Sequence, residues 1–235
     1  MTNFNIQIIS DAVCPWCYVG YRRLSRAITT HAQKYPSDTF KITWSPFYLN
    51  ASSPGFPGVD KAQFYESKFG AARTGMIFQR LAAVGSEEGI KFSFGGRTGK
   101  TRDAHRVIRL AGLKEKESQG VKGAEQEGQI GGIQTRVVER LFRAYFEEEK
   151  NITDRQVLIE AAVGGGLNEK EVEGLLEEGN DLGGKEVDED AEGARKQFVT
   201  GVPYFMVQGM YAVEGADEPE TFLEVFGKIK GAESS

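Results

Sequence analysis

The chain of 235 residues contains two cysteines, Cys14 and Cys17, which are three positions apart. A disulfide-stabilised secreted fold normally uses more cysteines, spread so that each bridge closes a long loop. A bridge between positions 14 and 17 closes almost no loop, so it would constrain the unfolded chain very little. The pair therefore indicates chemistry rather than stability, and the fold has to present both thiols within one short turn.

The two cysteines lie where an expected strand meets an expected helix. Residues 4–10 (FNIQIIS) alternate apolar and polar side chains, which predicts a strand. Residues 18–28 carry apolar side chains at helical spacing, and Pro15 suits the first turn of that helix, where its missing N–H is not needed. Residues 40–45 (FKITWS) alternate again. The first 45 residues thus predict a βαβ unit with two parallel strands.

Most of the chain beyond residue 60 has a helical pattern. Apolar residues recur every three or four positions in residues 61–70, 74–84, 101–113 and 135–150. Thr153 with Gln156, and Asn168 with Glu171, match the capping box that begins a helix.

Three segments interrupt or flank this helical pattern. Residues 50–60 predict a loop, and residues 90–94 (IKFSF) predict a short strand. Residues 114–132 are rich in Gly, Glu, Lys and Gln, which predicts a surface loop.

The end of the chain returns to a β pattern. Residues 202–208 and 210–214 predict a hairpin around Gly209, and Pro219 is placed to begin a final helix. The order is then strand, helix, strand, a long helical insert, strand, strand and helix. This order predicts an α/β fold.

The Cys14-Pro15-Trp16-Cys17 motif is typical of a redox pair. A thiol at a helix N-terminus is near the positive end of the backbone dipoles, which favours the thiolate that attacks disulfides. We expect Cys14 to be the exposed nucleophile and Cys17 to be the more shielded resolving thiol. Pro15 and Trp16 carry no charge, so they would influence the pair through helix geometry and solvent access.

Other interpretations of the cysteines and of a glycine-rich stretch are weaker. A structural zinc ion takes four ligands, and the remaining soft candidates, His31 and His105, have the wrong spacing, so no metal site is expected. Two passive thiols are a second alternative. Residues 95–101 (GGRTGKT) resemble a phosphate-binding loop, but they leave three residues between Gly95 and Gly99 where that motif needs four.

The net charge and the lack of long apolar runs limit the classes of partner and the cellular compartment that we expect. The 29 basic against 34 acidic residues give a net charge of −5, which argues against a nucleic-acid partner. No run reaches the roughly 18–20 apolar residues of a membrane span, and residues 1–10 lack the features of a signal peptide. We therefore expect a cytoplasmic protein with no membrane partner.

Five segments together resemble the DsbA-like thioredoxin family, specifically its FrnE-like branch. They are SDAVCPWCYVGYRRL, WSPFYLN, TRDAHRVIRLA, RLFRAYFEEEKNITD and GVPYFMV, in this order. The resemblance extends from residue 4 to about residue 227. It implies a thioredoxin-like fold with a large helical domain inserted after the second strand. Residues 1–58 and 196–235 would then form the thioredoxin-like domain, and residues 59–195 the inserted helical domain.

The resemblance also assigns roles to residues distant from the cysteines. In thioredoxin-fold oxidoreductases a cis-proline loop faces the two cysteines, and by resemblance Val202 and Pro203 bind the substrate backbone there. The alternative is an ordinary edge-strand proline. His105, in the Ala-His-Arg segment, is a structural residue or lines the cleft near Cys14. Asp11 caps the helix or relays protons to Cys17, and capping is the preferred interpretation.

These observations predict a thiol–disulfide oxidoreductase or isomerase without a resident cofactor. Its substrate would be a protein or small-molecule disulfide, and glutathione stays open as a co-substrate and partner. One alternative is a glutathione-dependent isomerase or transferase, similar to 2-hydroxychromene-2-carboxylate isomerase and kappa-class glutathione transferases, which generally carry serine where this chain has Cys14. Another is a non-enzymatic, chaperone-like binding module that uses the helical face.

Overall fold

A mixed α/β fold is built around one four-stranded sheet in the computed structural model, which describes residues 1–118 and 130–233. The strands are β1 Asn3–Ser10, β2 Thr39–Pro46, β3 Val59–Asp60, β4 Arg97–Thr98, β5 Tyr204–Val207 and β6 Tyr211–Glu214. The helices are α1 Pro15–Lys34, α2 Lys61–Phe69, α3 Ala71–Glu87, α4 Arg102–Ser118, α5 Ile133–Phe146, α6 Arg155–Gly165, α7 Glu169–Leu175, α8 Gly184–Lys196 and α9 Pro219–Glu233. This is the thioredoxin-like fold that the sequence predicts.

The central sheet has the strand order β2-β1-β5-β6. β1 runs parallel to β2 with Ile6 opposite Ile42, which confirms the predicted βαβ unit. β5 is antiparallel to β1 and to β6, so the predicted hairpin around Gly209 is also confirmed. Buried and exposed residues alternate over the first half of β1, and its last three residues are all buried, because the strand runs into the core just before Cys14.

The helices α2–α8 lie in sequence between β2 and β5, together with the small sheet of β3 and β4. Of these, α4, α5 and α8 pack against β2, at whose outer edge unpaired backbone groups would otherwise face solvent. The side chain of Gln134, in α5, does this directly. Its Oε1 accepts from the Trp44 N–H at 3.0 Å, and its Nε2 donates to the Trp44 carbonyl at 3.2 Å. The backbone of β2 at Trp44 is therefore hydrogen-bonded by the Gln134 side chain in the way that a neighbouring strand would bond it.

Several local predictions need correction. Residues 90–94 are not a strand, because their backbone bonds go to helix ends: Ile90 N–H donates to the Gly85 carbonyl and Ser93 N–H to that of Phe146. Their alternating aromatic side chains join a cluster in which Phe94 stacks on Phe78 at 4.2 Å.

The cap of α6 is Asp154 rather than Thr153, since the Asp154 side chain accepts from the Gln156 N–H. Asn168 caps α7 as predicted. The segment 50–60, predicted as loop, contains the short strand β3.

The predicted loop at 114–132 is partly helical, because α4 continues to Ser118. Residues 119–129 of that segment lie outside the described residues. Within the described ranges, none of the helices combines the length and apolar character that would let it cross a membrane.

The first helix lies unusually close to the segment that precedes β5. A Cβ atom on Gly20 would be 3.0 Å from Pro203 Cγ, 3.0 Å from Phe205 Cζ and 3.3 Å from the backbone of Ala216. Phe205 is fully buried, so its ring has little room to retreat. A glycine at position 20 therefore permits the contact between α1 and the Pro203 segment.

We expect Gly20→Ala to be less stable than a matched helix substitution, Gly227→Ala. Both exchanges gain about 0.5–1 kcal/mol from replacing glycine inside a helix. Position 227, in α9, has no other atom near its would-be Cβ, whereas position 20 is overpacked, which costs about 1–3 kcal/mol. Urea unfolding should therefore separate the two variants by about 1–3 kcal/mol. Equal stabilisation of both would show that α1 can move away from Pro203 freely.

Candidate active site

The four residues from Cys14 to Cys17 form the turn that opens α1. Cys14 is the N-cap residue, and Pro15 is the first residue of the helix. The Cys14 N–H donates to the Asp11 carbonyl at 3.0 Å, and the Cys17 N–H donates to the Cys14 carbonyl at 3.1 Å. The structure thus places both cysteines at the predicted junction of strand and helix, with the Cys14 side chain at the positive end of the helix dipole.

Both cysteines are free thiols, and both are buried. Cys17 is fully buried, as the sequence predicts, but Cys14 is only 3% exposed. The expectation of an exposed Cys14 is therefore wrong. Its cause is tertiary, because the Cys14 thiol meets the Val202 carbonyl, which is 188 positions away in the chain.

The segment before β5 meets the cysteine turn directly. The Cys14 thiol donates to the Val202 carbonyl oxygen, with 3.5 Å between Sγ and O, although the two residues are 188 positions apart. The peptide bond between Val202 and Pro203 is cis. Pro203 is buried beside Gly20 of α1. The structure therefore brings Cys14, Val202 and Pro203 together, as the sequence leads us to expect.

The environment of Cys17 keeps its thiol protonated. Burial raises the pKa of Cys17 well above 9, and the neighbouring Cys14 sulfur raises it further by a hydrogen bond and by its charge. The Ser10 hydroxyl and the Asp11 backbone N–H act in the opposite direction and lower the Cys17 pKa in part. At neutral pH Cys17 therefore holds its proton.

The helical insert contributes Tyr65 to this site. Burial, with a smaller contribution from charge at Cys14, raises the pKa of the Tyr65 phenol to about 12. Tyr65 belongs to α2, and Lys61 at the start of that helix attaches it to α5, because Lys61 Nζ donates to the Tyr145 carbonyl at 2.7 Å. Burial lowers the pKa of Lys61 to about 8, while the charge of Glu149 opposes that change.

Trp16 lies in the first turn of α1, between the two cysteines. Its ring is partly buried against the core, and the Arg80 guanidinium of α3 lies 5.3 Å from the ring centroid. The indole is therefore held between the core and a cation, a geometry typical of cation–π contacts.

Asp11 and His105 form a buried pair next to the cysteine turn. His105, in α4, is 3% exposed, and its Nε2 lies 3.4 Å from Asp11 Oδ1. The other carboxylate oxygen of Asp11 accepts from the Leu49 N–H at 2.8 Å. The prediction that the Asp11 side chain caps α1 is therefore wrong, because Cys14 is the N-cap and the carboxylate is already engaged with Leu49. The ring of His105 lies against Tyr48, and His105 also lines a cavity of about 290 Å³ between β2 and α4.

The second histidine, His31, is buried in the core. Its side chain contacts residues other than the cysteines. His31 Nε2 is 2.9 Å from Asp38 Oδ2. Among the residues that the structure describes, no three His, Cys, Asp or Glu side chains are arranged to hold a metal ion.

Three residues of this site are not identified by sequence reasoning. Ser10 lies in the predicted strand, but nothing in its pattern shows that its hydroxyl affects Cys17. Tyr65 has only a helical pattern, and its place beside Cys14 depends on how the insert folds back. Gly20 offers the one usable signal, since a glycine in the interior of a long amphipathic helix suggests close packing.

Comparison with known proteins agrees with this geometry. The chain matches the family model of the DSBA-like thioredoxin domain over residues 5–227, and it belongs to that family. A comparison with curated proteins finds no match.

Solved structures with this fold include a probable DsbA oxidoreductase from Streptomyces coelicolor. It is 25% identical, with a TM-score of 0.80 over 97% of this chain and 90% of that chain. A 2-hydroxychromene-2-carboxylate isomerase is 15% identical, with a TM-score of 0.63 over 98% and 99% of the two chains. The cytosolic disulfide reductase DsbM of Pseudomonas aeruginosa is 14% identical, with a TM-score of 0.51 over 95% and 99%. At these last two identities the likeness concerns the fold alone.

The raised pKa of Cys17 can be measured by titration of its thiol. In a Cys14→Ser variant, thiolate absorbance near 240 nm reports Cys17 alone. Since burial is the largest cause of the raised pKa, we expect the absorbance to rise only above pH 9. Adding Ser10→Ala removes a group that favours the Cys17 thiolate, so the rise should move to still higher pH. A midpoint at or below the ordinary cysteine value of about 8.5 would contradict the described environment.

Proposed function

We propose that the chain is a thiol–disulfide oxidoreductase in which Cys14 and Cys17 exchange electrons with a substrate disulfide. The observation that carries the proposal is the contact of Cys14 Sγ with the Val202 carbonyl, while Cys17, one helical turn further on, is fully buried and interacts with the Cys14 sulfur. A reactive sulfur next to a backbone carbonyl suits a substrate that lies along the Val202–Pro203 segment. A second thiol within reach of the first suits release of that substrate.

The reaction proceeds in two exchanges. The Cys14 thiolate attacks one sulfur of the substrate disulfide, which forms a mixed disulfide and releases the other sulfur as a thiolate. The Cys17 sulfur then attacks Cys14 Sγ, which forms the Cys14–Cys17 disulfide and releases the second substrate sulfur. The proton of Cys17 leaves with that substrate thiol. The substrate disulfide is reduced by two electrons and the cysteine pair is oxidised by two.

The different environments of the two sulfurs support this division of roles. Cys17 keeps its proton at neutral pH, because burial and the Cys14 sulfur raise its pKa. It therefore does not compete for the first attack and becomes a nucleophile only when the mixed disulfide has formed on Cys14. The Ser10 hydroxyl and the Asp11 N–H, which favour the Cys17 thiolate, would assist that second step.

A thiol of the glutathione class would complete the cycle by reducing the Cys14–Cys17 disulfide. Such thiols keep the cytosol reducing, so in a cytoplasmic protein the pair would act as a reductase or isomerase rather than as a net oxidant. The structure of DsbM, described as a cytosolic disulfide reductase, was determined with GSH. We extend that ligand class to this chain as part of the proposal.

A glutathione-dependent isomerase or transferase is the second candidate. The observation that favours it is the burial of Cys14, which is only 3% exposed, because an enclosed sulfur suits a small substrate better than a folded protein. This chemistry does not require a resolving thiol. It therefore predicts turnover that survives the loss of Cys17.

Two cysteine variants separate the candidates. With insulin as the disulfide substrate and reduced glutathione as the reductant, Cys14→Ser should reduce insulin no faster than buffer, because the attacking sulfur is lost. Cys17→Ser should stop after the first exchange and accumulate a covalent adduct on Cys14 that mass spectrometry detects. Full insulin reduction by Cys14→Ser would refute the oxidoreductase proposal. Glutathione-dependent turnover of a small electrophile that is undiminished in Cys17→Ser would favour the second candidate.

A further inference from the structure

Phe198 is an aromatic residue that is 89% exposed, immediately after α8. Its N–H donates to the Arg195 carbonyl at 3.1 Å, and the next N–H, of Val199, donates to the Ala194 carbonyl at 3.2 Å. These two bonds define a Schellman motif, in which the residue at the position of Phe198 adopts the left-handed conformation. Its φ is 63°, as the motif requires.

Folding places the backbone of Phe198 in an unfavourable conformation and leaves its ring in solvent. The left-handed position of a Schellman motif is normally occupied by glycine, because a Cβ atom is unfavourable there, and a bulky residue with positive φ is a genuine outlier. The ring is exposed, so it gains almost no burial in return. An outlier of this kind is a reason to look for a function in the region where it occurs.

The neighbours of Phe198 connect it to the active site. Val199 is buried with Ile9 and Phe47, and Val202 packs against the same cluster. Phe198 precedes Val202 by four residues, so their Cα atoms are no more than about 14 Å apart. The Val202 carbonyl in turn contacts Cys14 Sγ. The buried Val199 thus anchors the segment that joins the exposed Phe198 to Val202.

A second apolar side chain emerges from the same cluster. Leu49 is 41% exposed, and it follows the buried Phe47 by two residues. The Leu49 N–H donates to Asp11, and the Arg195 side chain of α8 donates to the Tyr48 carbonyl at 2.5 Å. The segment 47–49 is therefore attached both to the cysteine turn and to the end of the helix that Phe198 follows.

We propose that Phe198 is a specificity-determining residue that contacts an apolar side chain of a polypeptide next to the disulfide exchanged at Cys14. The inference rests on the proposed oxidoreductase function and names its substrate class. Glutathione is a charged tripeptide with no apolar side chain beside its cysteine, so it has no apolar group to bury against an exposed phenyl ring. A polypeptide with an apolar residue near its cysteine buries that residue against Phe198.

The kinetic test compares two disulfide-bonded peptides that differ only in the residue beside one cysteine, leucine in one and serine in the other. The wild-type protein should prefer the leucine peptide in kcat/KM. Partial burial of a leucine side chain corresponds to roughly a 3–10-fold preference, and Phe198→Ala should remove it. Phe198→Leu, which keeps an apolar side chain, should retain most of the preference. An equal kcat/KM for the two peptides in the wild type, or a preference that survives in Phe198→Ala, would overturn the proposal.

The variant Phe198→Gly distinguishes the effect of losing the ring from the effect of relieving the left-handed backbone conformation. Both Phe198→Gly and Phe198→Ala remove the ring, so both should lose the peptide preference. Glycine also relieves the left-handed position, whereas alanine does not, so the Tm of Phe198→Gly should exceed that of Phe198→Ala by about 2–4 °C. A Tm for Phe198→Gly at or below that of Phe198→Ala would contradict the conformational argument.

A binding measurement makes the result independent of redox chemistry. The leucine peptide with its cysteine S-methylated carries no disulfide, and its Kd for the wild-type protein should be roughly 3–10-fold lower than for Phe198→Ala. If this difference is found but the protein reduces no disulfide, the oxidoreductase proposal fails and the role of Phe198 in binding stands. If disulfides are reduced but neither kcat/KM nor Kd depends on Phe198, the specificity proposal fails alone.

Discussion

The close approach of α1 to the segment before β5 is the contact on which the rest of the site depends. Gly20 allows the helix to pack against Pro203 and Phe205, and six residues earlier the Cys14 thiol meets the Val202 carbonyl. The cysteine turn comes from the start of the chain and the Val202 segment from near its end. The fold therefore brings together two segments that are distant in the sequence. The absence of a side chain at Gly20 permits their close packing.

Burial controls the chemistry of the Cys17 sulfur. Cys17, one helical turn inside the protein, has its pKa raised by the loss of water and by the Cys14 sulfur. Cys14 is also almost fully buried, and its thiol meets the Val202 carbonyl from the far end of the chain. Both sulfurs are therefore held inside the protein, where residues distant in the sequence form their surroundings.

The parts of the fold that depend on local pattern could be predicted from the sequence. β1, α1, β2 and the C-terminal hairpin follow from the alternation or helical spacing of their own residues. Three of the failures are tertiary in origin. Residues 90–94 alternate because they supply Phe94 to an aromatic cluster, not because a strand pairs with them. Asp11 has the composition and position of a helix cap, but the Leu49 N–H, 38 residues away, takes its carboxylate. The Cys14 thiol meets the Val202 carbonyl, 188 residues away, so its burial cannot be read from its own sequence neighbourhood.

The central claim is that Cys14 and Cys17 act as one two-electron redox pair. Equilibration of the protein in buffers of graded glutathione ratio, followed by thiol trapping and mass spectrometry, tests this most directly. The account predicts that both thiols disappear together in a single transition, with an internal Cys14–Cys17 disulfide as the oxidised species. It would be contradicted if the two cysteines were trapped independently across the series, or if oxidation stopped at a glutathione adduct without the internal disulfide.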